Sequence, residues 1–234
     1  MLNLQRGELH TTINDNGAWV DELTDQKNAI FYPKTIIRSE SGEEKIRGGM
    51  HVCLPNFGPG GDSGLAQHGF GRTSTWDVLH KTGSSAMLTL KGGTTHYAQL
   101  ESTLAYELSE NSLRASLTLT NHGALSLRIA PAFHPYFALD ETETAVKINN
   151  VTYELSALAG TEFIEAEHVE LVTVHRTLQL SQTGLTTWAI WTDLLGSYVC
   201  VEPTFGGYRF LEPENPGEPL GPHESRSFSF DIMI

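Results

Sequence analysis

Three groups of polar residues in this 234-residue chain could carry acid–base or anion chemistry. The first is Arg47, His51, His68 and Arg72, spread through the glycine- and proline-rich stretch Ile46–Arg72. Turn-forming composition places such donors on loops, where a rigid body can present them to a ligand. Arginine offers a fork of N–H donors suited to phosphate or carboxylate, and histidine exchanges a proton near neutral pH. Met50, Val52, Leu54, Phe57 and Phe70 give the stretch apolar anchors that argue against disorder. The second group centres on His134 in Ala132–Phe137 (AFHPYF), an imidazole among aromatic rings. Rings suit a sugar, whose C–H faces pack on them while its hydroxyls need hydrogen bonds. The third is Glu202 in Val199–Pro203 (VCVEP). A carboxylate at the end of an apolar strand is costly to bury unpaired, and desolvation turns it into a candidate general base.

Each group also has a plainer reading. The loop charges are then incidental, His134 is bonded to a backbone carbonyl, and Glu202 leaves its strand into water. Trp76, in Arg72–Asp77 where a strand is expected to begin, either supports a binding face or packs in the core.

Other chemistries find less support. Gly61-Asp62-Ser63-Gly64 resembles the nucleophile turn of trypsin-like proteases, but too little chain precedes Ser63 to supply that fold's histidine and aspartate. Gly58–Gly64 lacks the Gly-Lys-Ser/Thr ending of a phosphate-binding P-loop. The chain has 10 histidines, yet none pair as H-x-H or H-x-x-x-H, so a cupin-type metal site is weakly supported.

The elements that must position these residues read as strands. Leu113, Ala115, Leu117 and Leu119 alternate with polar residues, as do Phe228, Phe230 and Ile232. Thr152–Leu155, Leu171–Leu180, Thr187–Trp191 and Leu125–Ile129 also read as strands, and Pro135 biases His134 towards strand geometry. Asn16-Gly17, Ser41-Gly42, Gly92-Gly93, Asn121-His122-Gly123 and Gly206-Gly207 mark turns. Glu101–Glu110 and Glu162–Leu171 are expected as short helices. The pattern predicts an all-β sandwich or barrel, with residues 1–234 as one domain.

A formal net charge of −13 disfavours nucleic acid and anionic membranes as partners, and makes any arginine cluster meaningful among 15 basic residues. The expected partner is a small molecule, bound by a monomer or weak homodimer. Cys53 and Cys200 sit in apolar strands and are expected as buried thiols of a reducing compartment. The N-terminal residues lack the apolar core of a secretion signal and no 18-residue apolar run occurs, so cytoplasm is the expected location and the Asn150-Val151-Thr152 sequon is expected to be idle.

The order IRGG…LPNFG…LAQHGFGRTSTW, then FHPYF, then VCVEP, resembles the galactose mutarotase superfamily. Within it the likeness is to the glucose-6-phosphate 1-epimerase (hexose-6-phosphate mutarotase) and aldose 1-epimerase branch. It runs from about Gly17 to the C-terminus, where Leu211–Gly221 matches the family's Pro-Gly-Glu turn. The resemblance implies a large twisted antiparallel β-sandwich with a sugar groove on one sheet. It implies an isomerase that exchanges α and β anomers of an aldose or hexose 6-phosphate, with no cofactor and no metal. His134 would protonate the ring oxygen and Glu202 would take the anomeric hydroxyl proton, the two facing one groove across roughly a sugar ring's width. His68 and Gln67 would bind sugar oxygens, and Arg47 and Arg72 the 6-phosphate. The family's substrate-binding aspartate before an arginine has Val174-His175-Arg176 as its counterpart, with histidine in its place. The alternative is a carbohydrate-binding β-sandwich that keeps the groove without turnover.

Overall fold

A computed structural model describes residues 1–26, 28–39, 41–214 and 218–234. Two nine-stranded sheets and one two-stranded hairpin carry its regular structure, and every pairing of named strands is antiparallel. The helical turns among the described residues are short 3₁₀ segments. The antiparallel β-sandwich expected from sequence is the fold observed.

The sheet that bears the site runs, edge to edge, through Leu2–Arg6, Leu9–Asn14, Trp19–Asp25, Met50–Cys53, Ala132–Ala138, Tyr198–Thr204, Thr187–Trp191 and Glu162–Ile164. Asn28–Ala29 pairs beside Trp19–Asp25. The second sheet runs from Val151–Glu154 through Ala145–Ile148, His168–Val172, Thr177–Thr183, Ser225–Met233, Ser112–Asn121, Leu100–Leu108 and Ser85–Lys91 to Asp77–Lys81. Thr35–Arg38 and Glu44–Arg47 form the separate hairpin.

Period-two alternation fixes which face each residue takes. In the central strands of the first sheet, Met50, Val52, Phe133, Phe137, Val199 and Val201 point into the core between the sheets. There they meet Phe228, Phe230 and Leu117 from the second sheet, with Phe133 and Phe230 ring centroids 5.9 Å apart. The intervening residues His51, Cys53, His134, Tyr136, Cys200 and Glu202 therefore share the outer face. That face is also covered, since all of them are buried.

Several expectations change. Leu100–Leu108 is a strand rather than a helix, because Leu100, Ser102, Leu104, Tyr106 and Leu108 are buried in strict alternation. Glu162–Leu171 is likewise not helical: it holds the strand Glu162–Ile164 and most of the strand His168–Val172. The expected Leu171–Leu180 strand is broken by a turn closed by the Thr173 N–H donating to the Arg176 carbonyl at 2.9 Å. Leu125–Ile129 forms no strand, only a bridge between Leu127 and Leu220. Arg72 lies in a 3₁₀ turn, Gly71–Thr73, and the next strand begins at Asp77. Trp76 packs in the core, its Nε1–H donating to the Gly71 carbonyl at 2.9 Å. Residues 215–217, which hold the Pro-Gly step of the expected turn, lie outside the described residues.

The loop from Leu54 to Arg72 is ordered by backbone hydrogen bonds. Phe57 N–H donates to the Ala130 carbonyl and Phe70 N–H to the Leu54 carbonyl, both at 2.7 Å. Closing this loop needs left-handed backbone at His68 (φ 62°) and Gly69 (φ 68°). A Cβ on Gly69 would stand 2.0 Å from the Leu54 carbonyl oxygen. Gly69→Ala is therefore expected to cost at least about 2 kcal/mol through strain and clash. Urea unfolding of the two forms side by side checks this, and equal midpoints would contradict it.

Candidate active site

The groove floor follows from strand register. His134 pairs directly with His51 on one side. On the other side, counting from Ala132 opposite Thr204 to Tyr136 opposite Cys200 sets His134 opposite Glu202. His51, His134 and Glu202 thus form one row across three adjacent strands, none of them at the strand exit expected from sequence. Pro135 and Pro203 flank the row without N–H groups, and the ladder between their strands is interrupted there.

The groove encloses about 630 Å³, within the range of small-molecule sites. His134, Glu202, His68, Gln67, Arg47 and Arg72 all line it, so one cavity collects the proposed proton-transfer pair and the proposed sugar and phosphate contacts; His51 lies beneath it, fully buried. His134 Nε2 lies 3.3 Å from Glu202 Oε2, with 3% and 1% of the two residues exposed. The contact is close but not aligned as a hydrogen bond, which leaves Glu202 Oε2 without a partner among the described residues. Tyr136 stacks on the His134 ring at 4.7 Å and 14°, fixing its plane.

His68 arrives from the loop above, its ring 5.0 Å from that of His134. Gly58 N–H donates to His68 Nδ1 at 3.2 Å, and the Cys53 thiol lies 3.2 Å from the same nitrogen. With Nδ1 accepting, the ring proton belongs on Nε2, and the Gln67 amide, whose nitrogen stands 3.3 Å away, must turn its oxygen towards the ring to accept it.

The arginines differ. Arg47 grips Asp193 with Nε at 2.9 Å and a terminal nitrogen at 2.8 Å, while its other nitrogen donates to the Ile46 carbonyl. Asp193 in turn accepts from the Tyr198 hydroxyl. Arg47 also lies over the Trp191 ring at 5.5 Å. It is a fixed part of the wall, whereas Arg72 has no carboxylate partner among the described residues. The opposite wall is aromatic, Phe57 stacked on Tyr208 at 5.3 Å and 11°. His175 is not in this cavity. It is exposed, 3.1 Å from Asp140, at a turn of the other sheet, so the residues aligned with the family's aspartate supply no groove contact.

The aldose 1-epimerase family profile matches residues 2–193, most of the chain. The chain belongs to the aldose 1-epimerase family. The matched residues include His134 but stop short of Glu202, so the epimerase-family resemblance and the cross-strand geometry bear on Glu202 separately. Over 75 residues the chain is 37% identical to a Cenchrus ciliaris protein provisionally named glucose-6-phosphate 1-epimerase; the match covers 32% of this chain and 19% of that protein. Among solved structures, a galactose mutarotase-like protein from Lactobacillus casei superposes with a TM-score of 0.83 at 16% identity, covering 100% of this chain and 99% of that one. A galactose mutarotase related enzyme from Lactobacillus acidophilus gives 0.80 at 17% identity, covering 99% and 96%. At such identities these two similarities establish the fold.

Burial sets the protonation of this epimerase-family groove. It holds His51 and His134 well below the ordinary imidazole range, with neighbouring cations adding to the effect. Burial, then Arg72, pushes His68 down to about 3. Burial also raises Glu202 well above the carboxylate range. The shifts of His134 and Glu202 both favour a protonated carboxyl beside a neutral imidazole over an ion pair.

These shifts make stability depend on pH. The imidazoles titrate near 6.5 in the unfolded chain and lower in the folded one, so their contribution is present above 6.5 and is lost as pH falls. Glu202 acts oppositely: its contribution is present in acid and is lost as pH rises above 4.5. Between these values three imidazoles oppose one carboxyl, which leaves two protons. Stability should fall from pH 6.5 towards 4.5 by up to about 2.7 kcal/mol per pH unit. Urea unfolding across that window reads it, and His68→Gln should remove about one proton's share of the slope. A flat profile would contradict the assignment.

Proposed function

We propose that the protein interconverts the α and β anomers of an aldose by acid–base ring opening and closure, with His134 and Glu202 as the proton-transfer pair. One observation carries the reading: an imidazole and a carboxyl, opposite each other on adjacent strands and 3.3 Å apart, at the floor of a groove of sugar size. Their separation is shorter than the ring's width expected from sequence. It suits the reaction, because the ring oxygen and the anomeric hydroxyl share one carbon, and two groups in contact reach both.

The proton inventory closes. Transfer from the Glu202 carboxyl to His134 Nε2 yields imidazolium and carboxylate. Imidazolium then protonates the ring oxygen as carboxylate takes the anomeric hydroxyl proton, the C1–ring oxygen bond breaks, and a free aldehyde forms. Rotation about C1–C2 presents the other carbonyl face, and closure reverses the transfers. His68, with its proton on Nε2, donates to a sugar oxygen alongside Gln67, and the Phe57–Tyr208 wall packs the C–H face.

For the substrate we favour a hexose 6-phosphate, with Arg72 as the phosphate contact. Arg72 brings a guanidinium with no carboxylate partner among the described residues, while Arg47 is committed to Asp193. The name of the Cenchrus ciliaris relative points the same way.

Polarimetry of freshly dissolved glucose 6-phosphate and galactose tests the activity: equilibration should exceed the spontaneous rate, and no acceleration with these or related sugars would overturn the reading. His134→Gln and Glu202→Gln should each lower the catalysed rate by about 10²–10⁴-fold. Full activity in Glu202→Gln would remove it as the base. Arg72→Met should raise KM for the phosphorylated sugar while leaving that for galactose near its original value; equal effects on both would remove the phosphate assignment.

A further inference from the structure

Cys200 is a buried thiol beside the groove floor that the proposed reaction does not use. It stands two residues before Glu202 on one strand, so both side chains take the same face, and it pairs in register with Tyr136, whose ring stacks on His134. We propose that His134, Cys200 and Glu202 form an inhibitory site for a single thiophilic divalent cation of the zinc or cadmium class.

The donor geometry fits such an ion. The ligand atoms of the three residues all lie within 4.8 Å of one another. A tetrahedral metal with bonds of 2.0–2.1 Å to nitrogen and oxygen holds those two atoms about 3.3 Å apart. His134 Nε2 and Glu202 Oε2 are separated by 3.3 Å. The thiol then closes by a small side-chain adjustment, and the fourth position opens onto the groove.

The donors are also available. Glu202 Oε2 is buried and without a hydrogen-bond partner among the described residues. Cys200 is a free, fully buried thiol, whereas Cys53 is already turned to His68 Nδ1. Burial disfavours a lone thiolate or carboxylate here, but a dication compensates both at once. Coordination releases one proton from the Cys200 thiol and one from the Glu202 carboxyl. His134 binds as a neutral ligand with its proton on Nδ1, and the assembled site carries no net charge.

Selectivity follows from the surroundings. Arg47 and Arg72 line the same groove and oppose any cation. Magnesium or calcium, which bind through charge and oxygen donors, gain too little to overcome them. An ion that also bonds sulfur gains more. Because the ion takes both atoms of the proton-transfer pair, it excludes reaction as well as sugar. That exclusion rests on the proposed function, while the binding does not.

Cadmium chloride titrated into the purified full-length protein provides the test, read by the ultraviolet thiolate-to-cadmium charge-transfer absorption. The expected result is saturation at one equivalent, retained in Cys53→Ser and lost in Cys200→Ser, with Cys200→Ala as a second variant. Thermal midpoints without metal identify whichever variants are folded. In the polarimetric assay, cadmium should inhibit competitively with sugar, and Cys200→Ser should need at least about tenfold more of it. No saturable absorption in the parent protein, or absorption that survives in folded Cys200→Ser, would overturn the site. Saturable, Cys200-dependent absorption in a protein with no detectable mutarotation would uphold the site and reject the proposed function.

Discussion

Everything in the groove depends on moving ionisable groups out of water on the face of a sheet that does not look into the core. His51, His134 and Glu202 lie in one row, with His68 lowered onto them by a loop, and all four are almost fully buried. Desolvation at this depth disfavours every charged form, so the groups settle as neutral partners that exchange protons rather than as ion pairs. Coulomb attraction alone would have put the proton on His134 and left Glu202 charged. Burial outweighs it, and the resting groove has the protonation reached halfway through the proposed reaction. The floor is thereby poised between two states of equal proton count that differ by one transfer over 3.3 Å.

The rim is built on the opposite principle. Arg47, Asp193 and Tyr198 form a closed chain of charge-assisted hydrogen bonds, with Trp191 against the guanidinium. Its pairing with Asp193 holds this arginine in the wall. Arg72 recurs among the charges that lower His51, His68 and His134, and Arg47 adds to it at His68 and His134. Two arginines that look alike in sequence thus divide into a structural fork and a guanidinium with no carboxylate partner among the described residues.

The sequence made much of the site legible because its parts are locally distinctive: a histidine in an aromatic strand, a glutamate closing an apolar run, donors in a glycine-rich loop. The strands at Leu113–Leu119 and Phe228–Ile232 were legible through clean alternation. Asp193, Tyr136 and Trp191 were not, because their roles arise from register between strands distant in the chain. Cys200 and His134 likewise meet only across a ladder, which no H-x-H spacing could reveal. The helix expected at Glu101–Glu110 failed because Ser102 and Tyr106 occupy buried positions and interrupt the apolar pattern of an otherwise ordinary strand. At Val174–Arg176 the linear motif pointed to the groove, but the turn between two strands of the other sheet carries it elsewhere.

Pro135 and Pro203 remove two backbone N–H groups beside the dyad. Elsewhere in enzymes, main-chain amides often hold a substrate oxygen, and such donors survive any change of side chain. Beside this dyad the main chain is enriched in acceptors, so hydrogen-bond donation to a ligand falls on side chains such as His134, His68 and Arg72. Donor placement in this groove is consequently open to revision one substitution at a time, with the strands left in place and little backbone donation to mask the loss of a residue.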